Sequence, residues 1–147
     1  MENVSSKKIN YLIRNCIVSL EQRNIKKVLS FLTEDVVWIT PRYSYKGIRE
    51  IKKYLTWLFK NLQDLVFIDE GIGVLVQGEK AVYQHILKAA IDGSQIQIPS
   101  IFIFRCKNNK CSHLWIMNDW LESMYRANIE ESEDVIHMGW NRDYSNL

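Results

Sequence analysis

Asp92-Gly93 is the feature that most narrows what this chain can fold into. An Asp-Gly pair between two alternating runs closes a two-residue β-hairpin, because both positions tolerate the positive φ that the turn demands. The flanking runs are long, about residues 81–91 and 95–106. Gly78-Glu79-Lys80 turns the chain into the first of them, and Lys107-Asn108-Asn109-Lys110 leads out of the second toward a further strand over about residues 112–122. Upstream, residues 65–77 form another strand-like run, and Gly71 and Gly73 inside it predict a bulge or sharp bend. Four such strands in succession make a meander, hence an antiparallel sheet, and the glycine bend makes it strongly curved.

The first half of the chain has the other periodicity. Ile9, Ile13, Cys16, Ile17 and Leu20 recur at helical spacing over residues 6–22, with Ser5 or Ser6 as N-cap. Asn24 caps a second, short helix carrying Ile25, Val28, Leu29 and Leu32. Glu34-Asp35 then turns the chain into a strand over residues 36–40, stopped by Pro41. After a loop from Tyr43 to Gly47, a third helix over residues 48–62 presents Ile48, Ile51, Leu55, Leu58, Phe59 and Leu62. A last short helix is expected near residues 123–131, before a loose end. About three helices on one face of a cone-like, strongly curved antiparallel sheet is an α+β architecture enclosing a pocket. With 147 residues, 47% of them hydrophobic, the chain has the size of one domain, with a core at about 6–124 and a polar tail at 125–147.

Charge excludes some functions. The net charge is +2, and the mild cluster Lys46, Arg49, Lys52 and Lys53 falls on the polar side of the third helix. A basic stripe with aromatic platforms is missing, so no nucleic-acid partner is expected. No apolar run of about 18 residues exists, so no membrane span is expected. The N-terminal stretch is polar and the three cysteines, Cys16, Cys106 and Cys111, are odd in number, which together predict a cytoplasmic protein with free thiols. Cys106, Cys111 and His113 are near one another in sequence, but a fourth ligand is lacking and no metal is expected.

Hairpin register sorts side chains by face, since opposed residues share one. If Asp92-Gly93 is a two-residue turn, Ile91 pairs with Ser94, Leu87 with Ile98, His85 with Ser100, and Tyr83 with Phe102. If Lys107 to Lys110 form a four-residue loop, Cys106 pairs with Cys111, which sets Phe102 opposite Trp115, Ser100 opposite Met117 and Ile98 opposite Asp119. The drier face then collects Tyr83, His85, Leu87, Ile96, Ile98, Ser100, Phe102, Phe104, Trp115, Met117 and Asp119 and packs on the helices. The other face carries Gln84, Lys88, Gln95, Gln97, Arg105 and Asn118 with Ile86, Ile101, Ile103 and Trp120. Apolar groups among polar ones on that back suit a homodimer interface. A one-residue slip exchanges the two sets.

Polar chemistry on the dry face marks the candidate site: Asp119, His85 and Tyr83, with Ser100 beside them. Desolvation disfavours a charged carboxylate there and raises its pKa toward the range of a general acid or base. Histidine exchanges protons near neutrality. On two strands flanking a shared neighbour, His85 and Asp119 have backbones about 9–10 Å apart, enough to bracket a ligand atom. Tyr83, Ser100 and Thr40 orient the ligand, and Trp38, Trp57, Trp115 and Met117 line the wall. The bland alternatives are a core histidine bonded to Ser100 or a backbone carbonyl, a core tyrosine, and an aspartate solvated at the sheet's open end. Tyr43 and Tyr45 make either a lid or an ordinary surface loop.

Three segments carry a resemblance: residues 28–38 (VLSFLTEDVVW), residues 45–51 (YKGIREI) and residues 118–122 (NDWLE). They resemble the SnoaL-like branch of the nuclear transport factor 2-like superfamily, over roughly residues 6–124. The resemblance implies the curved-sheet fold and a cofactor-free pocket for a small apolar molecule. It does not single out a reaction, because isomerases, cyclases, hydrolases, dehydratases and non-enzymes share this scaffold. The positions where ketosteroid isomerases carry a tyrosine and two aspartates are here Cys16, Thr40 and Ser100, so that mechanism is not expected. Where limonene epoxide hydrolase places Asp, Arg and Asp, the matching residues are His85, Tyr83 and Asp119, with Trp38 and Thr40 at its water-placing positions; only Asp119 is kept. In polyketide cyclases an inward His and a last-strand Asp move the protons, the Asp aligning with Asp119 or Glu122. The expectation is an acid/base enzyme of isomerase, cyclase or hydrolase type acting through Asp119 and His85. The alternatives are a non-catalytic small-ligand-binding or structural homodimer, and a protein-interaction module.

Overall fold

A computed structural model describes residues 4–41 and 43–118. Three helices and six strands follow in the order α1 (Val4–Glu21), α2 (Ile25–Ser30), β1 (Leu32–Ile39), β2 (Ser44–Lys46), α3 (Gly47–Asn61), β3 (Gln63–Gln77), β4 (Lys80–Ile91), β5 (Ser94–Lys107) and β6 (Lys110–Asn118). The strands form one curved sheet ordered β2-β1-β6-β5-β4-β3, open at β2 and β3. The α+β layout expected from the periodicities is the one observed.

The helices form close to where the sequence periodicity placed them, with two differences: α1 begins at Val4, so Ser5 and Ser6 lie inside it and do not cap it, and α2 ends at Ser30, so Leu32 opens β1. On α1 the buried stripe is Ile9, Leu12, Ile13, Cys16, Ile17 and Leu20. The Asn24 side chain caps α2, accepting from the Lys27 N–H at 3.1 Å. On α3 the buried positions are Ile51, Leu55, Leu58 and Phe59. α1 packs on β3 and α3 on β1, so both stripes press into the concave side of the sheet. Each fully buried Leu, Ile or Phe there contributes about 1.5–3 kcal/mol relative to exposure.

The β4–β5 ladder follows the hairpin argument residue for residue. Ile91 faces Ser94, Leu87 faces Ile98, His85 faces Ser100 and Tyr83 faces Phe102. Asp92 and Gly93 take φ of 49° and 81° in the turn. From Gln95 to Lys107, β5 alternates exposed or half-buried residues with buried ones. The bend at Gly71 and Gly73 is also present. Between the pairs Asp69–His85 and Val74–Tyr83 the ladder slips. The extra residues are held by Asp69, whose Oδ1 accepts from the N–H groups of Gly71 (2.8 Å) and Gly73 (3.0 Å).

Four further expectations need correction. The sheet is not wholly antiparallel: β1 and β6 run parallel, pairing Val37 with His113 and Ile39 with Trp115. β1 begins at Leu32, so Glu34-Asp35 lie within the strand, where a register shift between Leu32 and Val37 absorbs them. Residues 44–46 are not loop but a short edge strand paired with β1. Finally, β6 changes phase. Cys106 faces Cys111, but a bulge follows, and Phe104 faces Leu114, Phe102 faces Ile116 and Ser100 faces Asn118. The extra residue on β6 turns every later side chain over. Trp115 and Met117 therefore stand opposite Ile103 and Ile101 on the back of the sheet, and Met117 is 55% exposed. Asp119, Trp120, Glu122 and the helix expected near 123–131 lie outside the described residues.

Candidate ligand pocket

Between the helices and the concave face is an apolar cavity. Its walls come from Leu20 of α1, Trp38 of β1, Leu55 and Leu58 of α3, Phe67 of β3, Leu87 of β4, Phe102 of β5, and Leu114, Ile116 and Asn118 of β6, among others. The volume open to the centre of a water molecule among these side chains is about 40 Å³. That is space for roughly three waters, or one compact organic molecule.

Two polar groups in the wall give the cavity a direction. Trp38 is 2% exposed, and its indole N–H has no hydrogen-bond acceptor among the described residues. A buried donor left unpaired costs about 1–3 kcal/mol. Asn118, brought inward by the phase change in β6, directs its Nδ2 toward Ser100 Oγ at 3.5 Å.

A ladder of rings runs from this wall to the surface. Trp38 meets Tyr54 edge-on at 6.3 Å. Tyr54 stacks on Tyr45 at 4.3 Å and on Trp57 at 6.4 Å, and Tyr45 tilts against Tyr43 at 4.8 Å. Tyr54 belongs both to the cavity wall and to a surface groove formed with Tyr43, Tyr45, Glu50, Lys53 and Trp57. Burial, reinforced by Tyr43, pushes the Tyr45 phenol up to about 12; burial and Tyr45 push Tyr54 up as well. Both phenols stay neutral at physiological pH.

His85 lies deeper. It is 1% exposed, with its ring stacked on Tyr83 (4.6 Å) and met edge-on by Phe67 (5.1 Å) and Phe102 (4.4 Å). Its Nδ1 is 3.1 Å from the Tyr83 carbonyl. A carbonyl only accepts, so Nδ1 carries the proton and Nε2 is a bare lone pair, without a partner among the described residues. Burial lowers the His85 pKa to about 4, against a smaller upward pull from the Tyr83 carbonyl. His85 is therefore neutral at pH 7. The Tyr83 phenol is shifted up, first by burial and then by the negative charges of Asp69 and Glu21, partly offset by Arg14.

Of the expected site residues that are described, only Trp38 is in the cavity wall. Ser100 is buried next to it through Asn118. His85 and Tyr83 pack behind the Phe67 and Phe102 rings, on the expected face but not in the wall. Trp57 lines the surface groove. Thr40 closes the turn after β1: its Oγ1 accepts from the Tyr43 N–H and donates to the Tyr43 carbonyl, both at 2.9 Å. Trp115 and Met117 are on the opposite side of the sheet, for the register reason given above. Asp119 lies outside the described residues. Sequence reasoning missed Tyr54 and Asn118. The signal for Asn118 was present: the polar pair Ser112-His113 separates Cys111 from Leu114 by three positions in a strand whose period is two. His113 sits on the far side of the resulting bulge from Cys106 and Cys111, against Ser112 and Trp115, and no cluster of metal-ligating side chains exists among the described residues.

The SnoaL-like domain family matches residues 13–114, more than half of the chain. The chain belongs to the SnoaL-like family. Solved structures agree on the fold. A putative polyketide cyclase from Xanthomonas campestris superposes with a TM-score of 0.74 at 12% identity, covering 82% of this chain and 97% of that one. An epoxide hydrolase from M. tuberculosis resembling limonene epoxide hydrolase gives 0.70 at 11% identity, covering 82% and 89%. PrhC from Penicillium brasilianum gives 0.73 at 16% identity, covering 90% and 94%. No curated protein matches this SnoaL-like chain by sequence. Among the described residues, no helix is long and apolar enough to cross a membrane.

Proposed function

We propose that this SnoaL-like protein holds a compact, mostly apolar molecule bearing one hydrogen-bond acceptor, with Trp38 Nε1–H as the donor that meets it. The observation carrying this is a buried, unpaired indole N–H on a residue that lines the mostly apolar cavity, where Asn118 is another polar side chain. A ligand acceptor relieves the cost of that donor and adds apolar contact on most other sides. The Tyr43–Tyr45–Tyr54–Trp57 ladder is the approach for a flat molecule. The test is a thermal shift with cyclopentanone as probe. Ligand binding to the folded state raises Tm by mass action. A dose-dependent rise, absent with cyclopentane and lost in Trp38→Phe, is expected; equal shifts with both probes refute the role of the indole.

A second reading makes the same pocket catalytic. It is favoured by the bare Nε2 of His85, a neutral imidazole held behind Phe67 and Phe102, which a substrate in the pocket reaches only when those rings turn aside. Asp119, the next residue after Asn118 of the wall, is the general acid or base, His85 its partner, and Tyr83 and Ser100 orient the substrate without a cofactor. The reaction is a proton transfer in an isomerisation, cyclisation or hydrolytic opening. An NMR titration separates the two readings: a strongly raised Asp119 pKa supports catalysis, and an ordinary one leaves binding alone. Asp119→Asn with undiminished turnover rejects the catalytic role outright.

The back of the sheet is the proposed homodimer face. The phase change in β6 brings Met117 beside Ile101 and Trp115 beside Ile103, and Ile101 and Ile68 are each 38% exposed. Sedimentation tests it: Met117→Lys is expected to shift a dimer toward monomer. A cytosolic setting, keeping Cys16, Cys106 and Cys111 as thiols, completes the proposal.

A further inference from the structure

We infer that Cys106 and Cys111 are a redox-active dithiol, built to react with low-molecular-weight disulfides and close into a cross-strand disulfide. This pair is separate from the ligand cavity and goes beyond its reading.

The geometry rests on the tight turn between β5 and β6. Asn108 and Asn109 take φ of 50° and 59°, so the turn occupies two residues and Lys107 faces Lys110. The next pair is Cys106 facing Cys111. Their N–H groups do not bond each other. Cys106 N–H donates to the Glu79 carbonyl (2.7 Å) and Cys111 N–H to the Phe31 carbonyl (2.8 Å). This makes them a non-hydrogen-bonded antiparallel pair, the site where Cα atoms approach to about 4.5 Å and side chains come closest. That spacing is within the ~4.4–6.8 Å range a disulfide spans. The sulfurs already lie 3.7 Å apart.

The two thiols are not equivalent. Cys106 is itself buried, 2% exposed, but it reaches the floor of a surface depression formed with Ser5, Lys8, Ile9, Glu79, Lys107, Asn108 and Asn109, of about 300 Å³ open to water-sized molecules. Cys111 is 0% exposed and is not part of that depression. Lys8 and Lys107 in the lining favour an anionic partner in the depression, whereas Glu79 disfavours a thiolate at Cys106. The contact between the two sulfurs lowers the Cys106 pKa, against burial and Glu79, while the same contact and burial raise that of Cys111. Cys106 is then the attacking sulfur and Cys111 the resolving one. Cys16, pushed up to about 12 by burial first and the nearby Cys106 second, stays a bystander.

With glutathione disulfide the steps balance. The Cys106 thiolate attacks one sulfur, the glutathione S–S bond breaks, and one glutathione leaves as a thiolate. Cys111 loses its proton to water and attacks Cys106 Sγ, expelling the second glutathione. The dithiol is oxidised to a disulfide and the glutathione disulfide is reduced to two thiols.

The experiment incubates the full chain with glutathione disulfide at neutral pH and follows it by intact mass and peptide mapping. Wild type is expected to lose two hydrogens and yield a Cys106–Cys111 crosslink. Cys111→Ser is expected to stop at one glutathione adduct on Cys106, and Cys106→Ser to acquire none at Cys111. Alkylation of the folded wild type gives an answer free of variants: Cys106, the one of the pair that reaches the depression, is expected to react at least about tenfold faster than Cys111 and Cys16. A folded wild type that remains fully reduced, a crosslink through Cys16, or equal alkylation of all three thiols overturns the inference.

Discussion

Lowering the pH tests the placement of His85. The imidazole is held neutral in the folded chain, with its pKa lowered from 6.5 to about 4. In the unfolded chain it titrates near 6.5. Between those values the unfolded state binds the proton and the folded state does not, so unfolding becomes more favourable as pH falls. Above about pH 6.5 His85 contributes nothing to the pH dependence, and below about pH 4 its contribution levels off. A lowering of about 2.5 units at about 1.4 kcal/mol each gives a loss of about 3 kcal/mol across the window. Carboxylates titrate in the same range, so the useful quantity is a difference. Urea unfolding of wild type and His85→Leu is compared at steps from about pH 8 to pH 4. The variant loses the bond to the Tyr83 carbonyl and some ring contacts, a cost that does not change with pH. The wild type minus variant stability is expected to be flat above pH 6.5 and then to fall by about 3 kcal/mol toward pH 4. A difference that is flat throughout, or that grows as pH falls, refutes a buried neutral imidazole.

Further predictions concern the scaffold. A Cβ at Gly73, with φ +71°, meets Arg14 Nη2 at 2.9 Å, whereas one at Gly71, with φ +93°, meets nothing within 4 Å. Both Gly→Ala changes are expected to cost about 1–2 kcal/mol for the left-handed backbone by thermal unfolding, and about equally, because Arg14 Nη2 is the far end of a flexible side chain that can swing away; no loss at either position contradicts the left-handed bend. Asn24→Ala removes the acceptor for the Lys27 N–H and is expected to cost about 1 kcal/mol, with Asn24→Asp near wild type in the same assay. Leu55→Ala, at a fully buried position in the cavity wall, is expected to cost about 2–5 kcal/mol while admitting a larger ketone than cyclopentanone in the thermal-shift assay.

Local chemistry made part of this fold legible. Asp92-Gly93 specified a turn, the turn specified the β4–β5 register, and the register put His85, Ser100 and Tyr83 on the buried face. Gly71 and Gly73 announced the bend, and Asn24 the start of α2. What failed was non-local. The parallel pairing of β1 with β6 joins segments far apart in sequence, and nothing in either segment names the other. The bulge after Cys111 has no glycine to mark it, and one uncounted residue carried Trp115 and Met117 to the wrong side and left Asn118 out of the pocket. Alternation also reports a face, not a depth. His85 faces inward as expected, yet the Phe67 and Phe102 rings pack against it and form the cavity wall in its place.

The ligand reading rests on a single proton, the one on Trp38 Nε1, and indole ¹⁵N–¹H NMR observes it directly. Adding cyclopentanone is expected to move the Trp38 indole resonance downfield, as a new acceptor bonds its N–H, while cyclopentane leaves it in place. A Trp38 resonance unmoved by saturating ketone, or moved equally by both molecules, contradicts the account.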